Sequence, residues 1–188
     1  GQEMLSSSGN DLVSGPQPKG PGRNWSTEAA LQVVEGNLSN RNFEQGKLMF
    51  DATRCSSCHL MRGEGGAIGP DLTQLGTRFS AKDMLEAIIE PNKTVSDQYA
   101  ATVFTLRDGS SVLGRLTNED KNSYFISQNP FAPDVLREIP KADVIDTKYS
   151  YISIMYPGLI NRLNEEELKD LIAYLMAGGN PDHEIYKK

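Results

Sequence analysis

The chain is poor in the side chains that build most catalytic centres, with 2 cysteines, 2 histidines and 1 tryptophan among 188 residues. So few histidines leave no Ser/His/Asp arrangement or metal–carboxylate cluster to propose, and the glycine run Gly63-Glu64-Gly65-Gly66 lacks the context of a phosphate cradle. No apolar run approaches the roughly 20 residues that a bilayer-spanning helix needs. Positive charge is also short: 19 Lys and Arg face 25 Asp and Glu, a formal net charge of −6. That balance argues against a nucleic-acid partner and for a basic docking surface on a protein partner. Aromatic residues make up only 7%, thin for the core of a chain long enough for one domain, or for a small domain with an insertion. There is no repeat, and the one biased tract is N-terminal. Residues 1–24, with Pro16, Pro18 and Pro21 among serines and glycines, show no basic-then-apolar signal pattern. They read as a flexible leader or linker, either a tether to a membrane or another domain or a plain solvated tail, so the chain is expected to be mature or excised.

What the chain does contain is Cys55-Ser56-Ser57-Cys58-His59, which uses both of its cysteines. A C-x-x-C-H run is the attachment signature of a c-type haem. Each thiol adds to one vinyl group to make a thioether, and the two-residue gap sets the sulfurs on neighbouring edges of the porphyrin. His59 then lies beneath the iron and can ligate it through a ring nitrogen. The porphyrin would itself supply the flat apolar core element that the composition lacks. Three alternatives compete. A thioredoxin-like C-x-x-C should open a helix after a buried strand, yet Cys55 follows a helical stretch. Zinc wants four ligands, and only the distant His183 could join these three without carboxylates. A structural disulfide is the third. Haem attachment to this motif in bacteria takes place outside the cytoplasmic membrane, so a periplasmic or otherwise exported location is expected.

Around the motif the pattern is helical. Thr27 to Val34 and Phe43 to Ala52 are short helices, the second with Phe43, Gly46 and Phe50 on one face. Ser80-Ala81-Lys82-Asp83 forms a capping box opening a helix that buries Met84, Leu85, Ile88 and Ile89 and stops at Pro91. The last helix is capped by Asn164 with Glu167, carries its stripe on Leu168, Leu171, Ile172, Leu175 and Met176, and ends at Gly178, Gly179 and Pro181. Between Ser96 and Tyr149 the period becomes two. An alternating run from Tyr99 to Leu106, the Asp108-Gly109 turn and Val112 to Leu116 predict a hairpin. Tyr124 to Ile126, Leu136 to Ile139 and Val144-Ile145 add short strands, enough for a small sheet or partly closed barrel.

A second axial ligand would have to come from Met4, Met49, Met61, Met84, Met155, Met176 or His183. Met49, Met84 and Met176 fall within helical apolar patterns, Met61 is too near His59 to cross the porphyrin, Met4 lies in the leader, and His183 sits in a polar tail. Met155 stands apart in the loop Ser153-Ile154-Met155-Tyr156-Pro157-Gly158, where the competing reading is an ordinary buried thioether.

The order of helix, C-x-x-C-H, Gly69-Pro70-Asp71-Leu72, helix, Met-bearing loop and closing helix resembles a class I cytochrome c. More narrowly, Gly63 to Gly66, Ile68 to Leu72, Leu75-Gly76, Arg78, Ile88 to Pro91, Tyr99, Asp108-Gly109 and Ser153 to Leu159 resemble the haem-binding domain found in Planctomycetes and Verrucomicrobia, over roughly residues 43–181. That domain often ends large dehydrogenase-like proteins and carries a β-rich insertion before its methionine loop. The resemblance implies a mainly α class I cytochrome c fold with a small antiparallel β subdomain inserted between the third core helix and the Met loop. The divisions would be a leader at 1–24, the haem-attachment part at 25–95, the insertion at 96–150 and the Met loop with the C-terminal helix at 151–188.

By the same resemblance one covalent haem c would be held by Cys55 and Cys58, with His59 proximal and Met155 distal. The Pro70 carbonyl would accept the His59 ring N–H, and Arg78 would pair with a propionate. Gly46 and Phe50 would meet Leu171 and Tyr174 where the first and last helices cross. One departure is Met155-Tyr156-Pro157, where the family has Met-Pro; the extra residue bears on how firmly the thioether is held. The function expected is a monohaem electron carrier, not an enzyme. It would be free or the redox domain of a larger dehydrogenase system, taking electrons from a dehydrogenase and passing them to a carrier or oxidase. A haem-based sensor with a labile Met155 is the rival, and a haem enzyme a more distant one. Exposed apolar positions on the sheet would mark it as a docking surface, a polar face as structural support.

Overall fold

Helix α1 (Thr27–Val34) begins where the Ser26 side chain accepts a hydrogen bond from the Ala29 N–H at 3.1 Å. The computed structural model describes residues 15–96, 99–130 and 132–187. The candidate Met4 and residues 1–14 of the expected leader lie outside the described residues. Helix α2 (Phe43–Ala52) is capped by Asn42 and leads straight into α3, the single turn Cys55–Cys58. A two-stranded ribbon follows, β1 (Leu60–Met61) paired with β2 (Glu64–Gly65). Helix α4 (Ala81–Ile89) carries the Ser80–Asp83 capping box and buries Met84, Leu85 and Ile88, while Ile89 is only half-buried.

Five antiparallel strands come next: β3 (Ala101–Leu106), β4 (Ser111–Glu119), β5 (Ser123–Ser127), β6 (Leu136–Pro140) and β7 (Val144–Ser150), in the order β6-β5-β4-β3-β7. Helix α5 (Glu165–Met176) closes the fold behind the Asn164–Glu167 capping box. Each such cap is worth about 1 kcal/mol. The sheet has a small core of its own, Phe104, Val112, Ile126 and Ile139. Strand β7 is longer than the Val144-Ile145 pair visible in the sequence, because it pairs with β3 from Leu106↔Val144 to Ala101↔Ser150. The sheet therefore ends beside where it began. Residue 151 returns to the helical body next to residue 100, so fifty residues of sheet leave the last loop close to α4.

The helices share the main core, and α2 crosses α5 within it. Gly46 makes the crossing close: a Cβ there would collide with the Asp170 carbonyl oxygen and stand 2.8 Å from Tyr174 Cβ. Phe50 and Phe43 pack on Tyr174 with ring centroids 5.4 and 5.5 Å apart. Polar contacts lock the register, as the buried Asp170 accepts from Arg41 Nε at 2.9 Å and from the Asn42 N–H at 3.1 Å. Residues 19–24, expected as the end of an unstructured leader, form no helix or strand but lie against the start of α5. Lys19 N–H donates to the Glu167 carboxylate at 2.6 Å, and the Asn164 side chain donates to the Gly20 carbonyl at 3.0 Å. Trp25 follows, buried, its indole N–H donating to the Leu163 carbonyl at 3.2 Å.

Gly46→Leu forces four extra heavy atoms into the crossing and is expected to cost about 1–3 kcal/mol. Thermal unfolding of the variant beside the wild type measures this.

Candidate haem site

The attachment motif is placed by α2. Thr53 closes that helix, its hydroxyl donating to the Met49 carbonyl at 2.7 Å, and Arg54 then takes a positive φ of 65° that reverses the chain into α3. Cys55 opens this turn and Cys58 ends it, so the two thiols, three residues apart, share one face. With the Thr53 proton committed to Met49, the Cys55 thiol is the donor in its 3.3 Å contact with Thr53 Oγ1. His59 follows as an extended residue, its N–H bonded to the Cys55 carbonyl at 2.9 Å.

The segment after the motif folds back to hold it. The Gly66 N–H donates to the Ser56 carbonyl at 2.9 Å, the Gly69 N–H to the Cys58 carbonyl at 2.8 Å, and the Leu72 N–H to the Leu60 carbonyl at 2.9 Å. Glycine is required here by proximity. A Cβ on Gly65 would collide with the His59 carbonyl oxygen, and one on Gly69 would stand 2.5 Å from His59 Cε1. The glycine run is therefore a backing for the attachment turn, which is the physical reason it resembles no phosphate loop.

His59 Nδ1 lies 2.8 Å from the Pro70 carbonyl oxygen. A carbonyl can only accept, so Nδ1 carries the proton and Nε2 is left as the lone-pair nitrogen. Burial lowers the His59 pKa, against the opposing pull of the Pro70 hydrogen bond, which keeps the ring neutral near pH 7. A neutral imidazole oriented by a second hydrogen bond is the state that ligates a metal. Burial also pushes the Cys55 thiol up to about 11, despite its contact with Thr53, and raises that of Cys58.

These features separate the alternatives. Both thiols are free in this structure, with no disulfide between them. A redox C-x-x-C needs a depressed thiol pKa, and Cys55 is shifted the other way. Among the described residues no group of three or more His, Cys, Asp or Glu side chains is arranged to hold a metal ion with the four ligands that zinc prefers. Two protonated thiols on one face beside a histidine with only Nε2 open fit a covalently held haem.

Of the candidate second ligands, Met49, Met61 and Met84 are buried in the main core. His183 caps the final turn, its Nδ1 accepting from the Ile185 N–H at 3.2 Å. Met155 is half-buried against the main core in the loop between β7 and α5. That loop is stapled by contacts no sequence pattern announced. The Ser153 N–H donates to Asn92 Oδ1 at 2.7 Å, just beyond α4, and the Met155 N–H donates to Ser153 Oγ at 3.1 Å. Arg78 is exposed, its guanidinium 5.9 Å from the Phe79 ring centre. The sequence reading also missed Thr53 and Arg115. The second lies on β4, and its Nη1 donates to the Ile68 carbonyl at 2.6 Å.

Gly69→Ala is expected to drive the His59 ring off the Pro70 carbonyl, lowering the yield of covalently loaded protein and destabilising what loads by about 1–3 kcal/mol. Intact-protein mass, which separates loaded from unloaded chain, and thermal unfolding of the loaded fraction read both effects.

No curated protein matches the chain. Residues 43–123 match the family described as cytochrome c, a span from the start of α2 into β5 that includes the attachment motif and stops short of Met155. The match supports a cytochrome c, and with it a covalently bound haem, an electron-transfer role and redox partners.

Proposed function

We propose that this chain is a class I monohaem cytochrome that carries single electrons, with thioethers at Cys55 and Cys58, His59 as proximal ligand and Met155 as distal ligand. The observation that carries the proposal is the His59 ring, held through Nδ1 by the Pro70 carbonyl at 2.8 Å so that Nε2 alone remains to bind iron, beside two free thiols. When bound, the haem supplies an iron centre that gains or loses one electron, and sulfur ligation favours the reduced form. The protein's own residues do the rest. Pro70 fixes the tautomer and orientation of His59, and glycines 65, 66 and 69 let the chain approach the attachment turn. Asn92 and Ser153 hold the loop from which Met155 would present its thioether. The exposed Arg78 is available to a propionate.

On this reading the five-stranded sheet is an insertion in the cytochrome fold between α4 and the Met loop, and the chain is a relative of the haem-binding domain of Planctomycetes and Verrucomicrobia. It acts outside the cytoplasm, where such haems are attached, either free or as the redox domain of a dehydrogenase system. Leu113, Ile145 and Tyr149 are exposed on the sheet, which supports a role for it in meeting a protein partner. The net charge of −6, made more negative by ionised propionates, suits a partner with a basic surface.

Visible spectra of the oxidised and reduced protein test the ligand pair. The wild type is expected to show the weak far-red band of sulfur-ligated ferric haem, and Met155→Ala to lose it, bind carbon monoxide when reduced, and fall in reduction potential. A wild type without that band, with high-spin iron that takes up carbon monoxide, would instead indicate a sensor or a haem enzyme. Cys55→Ala and Cys58→Ala singly should each leave one thioether, and the double variant should release its haem in acidified organic solvent.

A further inference from the structure

Arg115 is the one described side chain of the sheet hydrogen-bonded to the loop behind the attachment turn, and it reaches that loop across 47 positions of sequence. It lies on β4 and is partly buried, with its guanidinium 5.7 Å from the Tyr99 ring centre. Its Nη1 donates to the carbonyl of the buried Ile68 at 2.6 Å, a short charge-assisted bond. Among the described residues no carboxylate forms an ion pair with it.

The peptide it touches does not end there. The other end of the Ile68–Gly69 peptide is the Gly69 N–H, which donates to the Cys58 carbonyl at 2.8 Å. That carbonyl belongs to the Cys58–His59 peptide, whose N–H donates in turn to the Cys55 carbonyl at 2.9 Å. A guanidinium thus heads a file of hydrogen-bonded peptides running behind Cys58, His59 and Cys55. Each peptide points its carbonyl toward the cation and its N–H away from it. The dipoles add, and a charged donor at the head of such a file strengthens every bond in it.

We propose that Arg115 is a positioning residue that couples the sheet to the haem site: by clamping and polarising the Ile68–Gly69 peptide it raises the reduction potential of a haem held at Cys55, Cys58 and His59. The inference rests on the electron-carrier reading above. The sign follows from charge, since adding one electron to the ferric site lowers its positive charge, and a fixed cation nearby favours that reduced state. No bond is made or broken, no proton is needed, and the electron comes from the partner or, in the test, from an electrode through a mediator.

Spectroelectrochemical titration of the haem-loaded full chain tests this with Arg115→Gln, which keeps a donor without the charge, Arg115→Met, which keeps neither, and Arg115→Lys, which keeps the charge. At the wild-type midpoint the Gln and Met variants should show a reduced-to-oxidised ratio about three- to tenfold lower, at most about 59 mV for one electron, and Lys should stay within about twofold. Thermal midpoints taken alongside report the mechanical part of the clamp. An unchanged ratio in Gln and Met with a lowered thermal midpoint would reduce Arg115 to a structural clamp and overturn the proposal. So would a raised potential, a Lys variant as low as Gln, or a Gln variant that fails to load haem. A wild type that takes up no covalent haem or shows no one-electron couple refutes the electron-carrier reading itself, an outcome distinct from a wild-type couple that is indifferent to Arg115.

Discussion

The close crossing of α2 and α5 at Gly46 is the constraint from which the site's geometry follows. Helix α2 ends at Ala52 and hands the chain to Cys55 within three residues, and α5 begins ten residues after Met155. Fixing how the two helices lie against each other therefore fixes where the attachment turn leaves the core and where the methionine loop must arrive. A glycine at the contact lets the backbones approach until its Cα faces the Asp170 carbonyl and Tyr174 Cβ. The aromatic packing of Phe43, Phe50 and Tyr174, together with the Arg41 and Asn42 contacts to Asp170, then holds angle and register. Burying Asp170 is tolerable because its charge is met by a guanidinium and a backbone N–H.

Given that frame, the attachment turn and the loop of Met155 are held in different ways. The attachment turn is held locally: the chain doubles back after His59, and three backbone hydrogen bonds from Gly66, Gly69 and Leu72 fold it back against the motif within about a dozen residues. Backbone bonds of this kind depend little on side-chain identity, except where a Cβ cannot fit. The loop of Met155 is held non-locally. It depends on Asn92 meeting Ser153 across the whole sheet, and on β7 pairing with β3 so that the sheet returns the chain to its starting point. A sheet closed in this way can be large without displacing the loop that follows it. Through Arg115 it also touches the loop behind the attachment turn, so the sheet has a polar connection to that turn.

Much of the local structure could be read from residue order. Helices α1 and α2 fall where the helical patterning puts them, α4 follows its Ser80–Asp83 box and α5 its Asn164–Glu167 box, while the Ser26 and Asn42 caps emerge from the structure. The hairpin at Asp108-Gly109 was equally legible, since a turn signal and its flanking alternation act over a few residues. Strand β7 was read too short because its outer residues, Asp146, Thr147 and Lys148, are polar and exposed; they are strand only because β3 lies alongside. Residues 19–24 looked like tether, being rich in glycine and proline, yet their backbone is held by Glu167 and Asn164, which no local rule connects to them. Thr53, Asn92, Ser153 and Arg115 were invisible as site residues for a related cause: each is a common polar side chain whose role comes only from what it faces.

The sequence by itself determined the chemistry: two thiols and a histidine at C-x-x-C-H spacing, a proline and glycines shortly after them, and caps and apolar stripes that commit four segments to helix. Those are covalent or short-range facts, set by residue type and by neighbours within about four positions. Tertiary structure decided how fifty residues of sheet rejoin the helices, which contact holds the loop of Met155, and where a cation comes to lie behind the attachment turn. Each of these depends on groups tens of residues apart coming within hydrogen-bond or packing distance, and residue order carries no local trace of such an encounter.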